Sequence, residues 1–323
     1  MRTELHERLL GLLGDRLRFA VPLTRYTSFR VGGPAEVFAE PDTLAELQTL
    51  VALLHQESAP YFLLGGGTNI LISDKGIRGV VIKLGEGFNF SCWEERGDAA
   101  HVWVGAARPL GRFVREAVGK GYGGVEFAEG IPGSVGGGLL MNAGAFGGEL
   151  SRIVKAISGV CPQGTTVRLP GEKLGFAYRR TALPLGLIVT EIEFRLQPQR
   201  QEVLTAAMRE AQRKRQQTQP HGYPNAGSIF KNPPGAYAGR LIEAAGLKGL
   251  VRGGAQVSEQ HANFIVNTGG ASAVEVRQLM EQIQQAVWQK NHIWLEPEVR
   301  FVGEWEEERM QNAKCKMENE EEN

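Results

Sequence analysis

Residues 63–73 read LLGGGTNILIS, and residues 129–149 read EGIPGSVGGGLLMNAGAFGGE. These stretches decide the fold class, because both are too rich in glycine to be ordinary helix or strand interiors. In the first, an apolar run from Tyr61 to Leu64 reads as a buried strand that ends in Gly65-Gly66-Gly67. The backbone N–H groups there are unscreened by side chains, and Thr68 and Asn69 add a hydroxyl and an amide. Such a nest holds a diphosphate with little help from cationic side chains. Taken alone, a tight turn explains the triplet equally well. The second stretch interleaves glycine with apolar residues, Ser134 and Asn142, and would be an entropic liability if it bound nothing. Two nests suit a dinucleotide better than a single phosphate.

A third glycine cluster, GKGYGG at 119–124, formally fits the dinucleotide fingerprint G-x-G-x-x-G. That fingerprint needs a strand before it and a helix opening after it. Here a helical pattern precedes it, so a helix stop followed by a turn is the better reading. The chain has no Walker A pattern, which leaves ATP chemistry without support.

Around the nests the periodicity is plain. Leu44, Leu47, Leu50 and Leu54 predict a helix over 42–57, with Asp42 as N-cap after Pro41. IRGVVIKL (77–84) and HVWVGA (101–106) read as strands, and 109–121 as a helix stopped by glycine. Ile188, Ile192, Phe194 and Leu196 share one face of a half-buried strand over 188–196. Residues 201–217 form a polar helix, and TQPHGYPNAGS after it reads as a linker. A short helix is expected around Leu241–Ala245. Ser272 and Glu275 make a capping box for a helix over 272–290, whose apolar stripe is Val276, Leu279, Ile283 and Val287. WLEPEVRFVG (294–303) reads as a closing strand. Mixed strand and helix without a repeat predict an α+β fold. Composition shifts divide it into 1–84, 85–200 and 201–303, with an acidic, disordered tail over 304–323.

The 323 residues are enough for two or three packed domains, and a content 42% hydrophobic and 22% charged is that of a soluble protein. Zero formal net charge gives no global field toward nucleic acid or an anionic membrane. Cys92, Cys161 and Cys315 are too few and too scattered for a disulfide framework or a cysteine-rich zinc site, so no metal is expected. The opening MRTELHERLLGLLGDRL carries charges among its leucines, as an amphipathic helix does and a signal peptide does not. No apolar run reaches the length of roughly 18 residues that a membrane span needs. A cytoplasmic protein without nucleic-acid, membrane or obligate protein partners is the expectation.

Seven pieces, in order, resemble the UDP-N-acetylenolpyruvoylglucosamine reductase family, whose members are also called UDP-N-acetylmuramate dehydrogenases. They are TSFRVGGPA (27–35), LLGGGTNIL (63–71), EFAEGIPGSVGGGLLMNAGAFGGE (126–149), AYRRT (177–181), AGSIFKNP (226–233), GGAQVSEQHANFIVN (253–267) and LEPEV (295–299). The resemblance covers roughly residues 20–303. It implies a two-domain FAD-binding fold of the vanillyl-alcohol-oxidase type, with a third, substrate-binding domain over 201–303. It also implies NADPH-dependent, FAD-mediated reduction of the enolpyruvyl ether of UDP-N-acetylglucosamine to UDP-N-acetylmuramate, a step of peptidoglycan precursor synthesis.

Carried over residue by residue, the resemblance places the FAD on Gly65, Gly66, Gly67, Thr68, Asn69 and Ile70. From the second nest it adds Gly130, Ile131, Pro132, Gly133, Ser134, Gly136, Gly137, Asn142, Ala143 and Gly144. Ser228 matches the proton donor, Arg179 the residue facing the substrate carboxylate, and Glu298 the second acid. The planar guanidinium fork of Arg179 suits bidentate pairing with a carboxylate. A carboxyl such as Glu298 helps a developing anion only when it is protonated or acts as a donor. Glu296 would share a strand face with it, so the choice between them rests on the resemblance. Tyr178, Lys231, Asn232, Lys248, His261 and Asn263 are the further substrate-binding candidates. Only 48 residues separate Arg179 from Ser228, which matches the second type of the family. That type lacks an inserted tyrosine-bearing loop.

Overall fold

A computed structural model describes residues 3–305 of the chain. The acidic stretch anticipated over 304–323 falls, beyond Trp305, outside the described residues. Two compact units emerge: Met1–Val21 with Ala35–Thr68 and Arg78–Gln219, and Pro22–Pro34 with Asn69–Ile77 and Pro220–Asn323.

The first unit opens with the helix Thr3–Leu13, which buries Leu5, Leu9 and Leu13 along one stripe. A sheet follows whose strand order is Leu17–Pro22, Pro34–Ala39, Ile77–Ile82, Tyr61–Leu63, and its last pair runs parallel. The helix Leu44–Gln56 buries Leu47, Leu50, Val51 and Leu54, whereas Leu44 in its first turn is exposed. Its N-cap is Thr43, not Asp42. Thr43 and Glu46 close a capping box, and the Asp42 carboxylate instead accepts the Gly87 N–H at 3.1 Å.

A second sheet in the same unit has the order Thr166–Pro170, Val154–Val160, Ile188–Pro198, Ala99–Gly105, Ser91–Arg96, with Tyr122–Gly123 beside Ile188–Pro198. Its pairings are antiparallel. As the alternation foretold, Ile188, Ile192, Phe194 and Leu196 all point into the core. Phe194 meets Phe113 of the helix Leu110–Gly119 with ring centroids 4.8 Å apart. GKGYGG lies at the end of that helix and leads into a two-residue strand, the opposite of the dinucleotide arrangement.

The second unit packs the helix Ala273–Asn291 on a three-stranded antiparallel sheet, Val251–Arg252, Ala255–Val257, Ile265–Asn267. Val276, Leu279, Ile283 and Val287 are buried as the stripe required, and the Ser272–Glu275 capping box is formed. Ile70–Ile72 pairs parallel with Arg300–Val302, and Phe29, Val31 and Leu71 complete this unit's core. The closing strand is shorter than the sequence suggested. Pro297 has no N–H to give a ladder, so regular pairing begins only at Arg300. Among the described residues no helix is long and apolar enough to cross a membrane.

Candidate active site

In the first unit the two glycine stretches meet backbone to backbone. A Cβ on Gly66 would lie 2.5 Å from the Gly133 Cα, and one on Gly133, whose φ is +112°, would lie 2.8 Å from the Thr68 hydroxyl. Both positions therefore require glycine. Thr68 Oγ1 donates to the Pro132 carbonyl at 3.3 Å. The Ser134 hydroxyl accepts the Gly137 N–H at 3.2 Å and so starts the short helix Val135–Leu140.

A cavity of about 240 Å³ opens beside this junction. Gly65, Gly66, Gly133, Ser134, Gly136 and Gly137 form a polar floor of bare backbone. Leu63, Leu64, Leu84, Leu140 and Val189 make an apolar wall, and Lys83 is the cation of the lining. A floor of close-packed backbone against an aliphatic wall fits a dinucleotide cofactor. Lys83, Ala106, Ala107 and Pro109 also line this cavity. They were missed in the sequence because a lysine closing a strand carries no ligand signature.

The AYRRT turn is clamped onto the same element. Ala177 and Arg180 exchange backbone hydrogen bonds of 2.9 and 3.1 Å, with Arg179 between them at φ +56°. Thr181 donates its N–H to Leu140 O at 3.1 Å and its hydroxyl to Leu139 O at 2.5 Å. The Asn142 amide is engaged at both its nitrogen and its oxygen, donating to Ala177 O and accepting the Ser151 N–H. Arg179 Nη1 donates to Gly144 O at 2.9 Å, and its guanidinium lies over the exposed Tyr178 ring. A non-glycine residue in the left-handed region marks a position the surroundings impose. Here it directs the guanidinium at the loop 142–148.

In the second unit, SIFKNP is locked on both sides. The Asn225 side chain accepts the Gly227 N–H at 3.0 Å, Ile229 N–H reaches Asn263 O at 2.9 Å, and Glu298 N–H reaches Ile229 O at 2.7 Å. Phe230 bridges Pro297, and Lys231 N–H bonds Glu296 O. This pairing sets Glu298 opposite Ile229, the residue that follows Ser228. Among the described residues the half-buried Ser228 hydroxyl makes no hydrogen bond, so it remains available. The Glu296 carboxylate is taken by Lys231.

The remaining candidates have local partners. Asn263 is 4% exposed and spends its amide on both backbone groups of Phe230, at 3.0 and 2.8 Å. Asn232 Oδ1 accepts the Ala238 N–H at the start of the helix Ala238–Ala244, and Lys248 pairs with Glu243 at 2.6 Å. His261 Nδ1 accepts the Asn263 N–H at 3.2 Å. Burial pushes the His261 pKa below its ordinary value, and the Lys248 charge adds to this. Asn69 and Ile70 belong to this unit. The Asn69 amide donates to Glu298 O at 3.0 Å, and Ile70 opens the strand beside Arg300. Among the described residues no cluster of His, Cys, Asp and Glu could hold a metal ion.

Residues 219–302 match the model of the UDP-N-acetylenolpyruvoylglucosamine reductase C-terminal domain, and residues 35–170 that of an FAD binding domain. UDP-N-acetylenolpyruvoylglucosamine reductase 2 of Symbiobacterium thermophilum is 46% identical over 302 residues, which are 92% of this chain and 96% of the relative. The chain belongs to the UDP-N-acetylenolpyruvoylglucosamine reductase family. The reductase of Syntrophotalea carbinolica is 42% identical over 92% of this chain and 98% of its own. The crystal structure of the Thermus caldophilus reductase superposes with a TM-score of 0.77 at 38% identity, covering 88% of this chain and 99% of that one. Within the reductase family, the glycine cradle falls in the part matched by the FAD model, and Ser228 and Glu298 fall in the part matched by the C-terminal model.

Proposed function

We propose that the chain reduces the enolpyruvyl ether of UDP-N-acetylglucosamine to UDP-N-acetylmuramate, using NADPH and a bound FAD, in the cytoplasm. Residues 1–84 and 85–200 serve the cofactor, and 201–303 serve the UDP-sugar. The observation that carries the reading is Ser228: a hydroxyl with no hydrogen bond among the described residues, on backbone fixed at both neighbours, one of which pairs with Glu298. Family membership supplies the substrate class.

When bound, FAD supplies a hydride carrier between NADPH and the substrate. The backbone around Gly65–Thr68 and Gly133–Ser134 would hold its diphosphate, because the Val135, Gly136 and Gly137 N–H groups are already spent on Arg108 O, Ala106 O and the Ser134 hydroxyl. Arg179 pairs with the substrate carboxylate and accepts charge delocalised onto it. As hydride reaches the terminal vinyl carbon, the former double-bond electrons move onto the neighbouring carbon. Ser228 gives that carbon its proton. Glu298, held by its backbone N–H to Ile229 O, acts as a hydrogen-bond donor to the developing anion, a role that demands the protonated carboxyl.

Anaerobic reduction of the purified holoenzyme by NADPH, followed by rapid mixing with the enolpyruvyl substrate, tests the reading. Oxidised flavin should return together with one equivalent of lactyl product. If the flavin stays reduced, the proposal fails.

A further inference from the structure

The helix Gln201–Thr218 carries several cations, and most have an ordinary surface role. Arg213 and Lys214 both pair with Glu210, at 2.9 and 3.4 Å. Arg215 is different. Its aliphatic stem lies on Gly130, where a Cβ would come within 2.8 Å of Arg215 Cδ. Its guanidinium lies 5.6 Å from the centroid of the Phe146 ring. Nε is buried with no hydrogen-bond partner, and Nη1 reaches Gln219 Oε1 only at 3.5 Å. No carboxylate is paired with Arg215 among the described residues. The charges that bear on it are Arg179 and Glu129; Arg115 engages Glu129 Oε1 at 2.9 Å, Glu129 Oε2 makes no hydrogen bond among the described residues, and neither oxygen reaches Arg215. Burial first, and the Arg179 charge second, push its pKa below the usual arginine range, although it stays protonated at neutral pH.

A desolvated cation held toward a second cation is costly unless an anion joins them. Neither arginine lines the 240 Å³ cavity at the glycine junction, so a diphosphate resting there is not that anion. Both instead bracket the 130–148 loop, Arg179 through Gly144 O and Arg215 through Gly130 and Phe146.

We infer that Arg215 joins Arg179 in a paired-guanidinium site for the carboxylate of the enolpyruvyl substrate, and that its main work is done as the reaction proceeds. This rests on the reduction proposed above. Hydride addition breaks the vinyl π bond and forms a C–H bond at the terminal carbon. The freed electron pair lies on the adjacent carbon, conjugated with the carboxylate, which then carries formally two negative charges. The Ser228 proton forms the second C–H bond and returns the charge to one, and solvent reprotonates the serine. One guanidinium matches the carboxylate of the bound substrate. The second matches the charge present only in between, the kind of interaction that raises the rate more than the affinity.

The test uses holoenzyme of the parent, Arg215→Gln and Arg215→Lys. Flavin content, flavin reduction by NADPH and single-turnover reoxidation by graded enolpyruvyl substrate are measured for each. The expected result is full flavin content, with the reoxidation step of Arg215→Gln slowed about 100-fold and substrate affinity weakened far less. Arg215→Lys recovers part of the rate. Added guanidinium ion should accelerate an Arg215→Ala variant and leave the parent unchanged. A reoxidation rate for Arg215→Gln within about threefold of the parent overturns the inference. So does a defect confined to flavin affinity that disappears at saturating FAD, which would assign Arg215 to the cofactor's diphosphate. A parent that never reoxidises overturns the reduction reading itself, and is told apart from a working parent with an indifferent variant.

Discussion

The Ser228 hydroxyl is a weak acid in water, so it can protonate carbon only if it is held in place and meets a strong base. The backbone bonds at Gly227, Ile229 and Glu298 provide the first condition. Ser228→Ala should retain flavin and its reduction by NADPH, while single-turnover reoxidation by substrate slows by about 10²–10⁴. An unchanged rate would remove Ser228 from the mechanism. Asn263 behaves differently. Its amide satisfies a buried N–H and C=O at Phe230, 33 positions away. Asn263→Ala should therefore cost about 1–3 kcal/mol of stability, read as a lowered thermal midpoint. The family resemblance named both residues as site candidates. It could not separate the free hydroxyl from the committed amide, because that depends on a partner far along the chain.

Elements were legible where periodicity and capping agree. Ser272 with Glu275 announced its helix, and the leucines of 44–54 announced theirs. The N-cap was misjudged because Asp42 and Thr43 both have capping side chains, and only the fold shows Asp42 spent on Gly87. The Thr43–Glu46 box is reinforced by Arg16, which donates to both Glu46 oxygens at 2.7 and 2.5 Å. The Arg16 hydrogen bond is the main reason that the Glu46 pKa is lowered from 4.5 to about 2. A depressed carboxylate stabilises the fold fully above its unfolded value and loses that contribution as pH falls through its folded one. Glu46→Gln should thus lower stability by about 1 kcal/mol at pH 7, the modest value of a solvent-screened pair. The gap between variant and parent melts should narrow below pH 4.5 and close near pH 2. The glycine stretches carry a harder constraint. Gly133→Ala must both leave φ +112° and displace the Thr68 hydroxyl, so this variant should lose its flavin on desalting, measured by visible absorbance.

At the scale of the whole molecule, the second unit is assembled from three separated pieces of chain. Phe29, Val31 and Leu71 sit in its core although the bulk of it begins at Pro220. Nothing local in TSFRVGG or NILIS signals that membership, since the information lies in contacts across some 200 residues. A fragment beginning at residue 219 would lack those side chains and the Ile70–Ile72 strand. It should melt without cooperativity and show poor amide dispersion by NMR. A sharp cooperative transition would show that the outlying pieces are dispensable.

The parallel pairing of Ile70–Ile72 with Arg300–Val302 has a consequence for how this protein is made. A ribosome delivers Phe29, Val31 and Leu71 early, yet their last neighbours leave the exit tunnel only when synthesis reaches the far strand. Through most of translation these nonpolar side chains wait without their final surroundings. The nascent polypeptide must stay sheltered until its closing strand arrives.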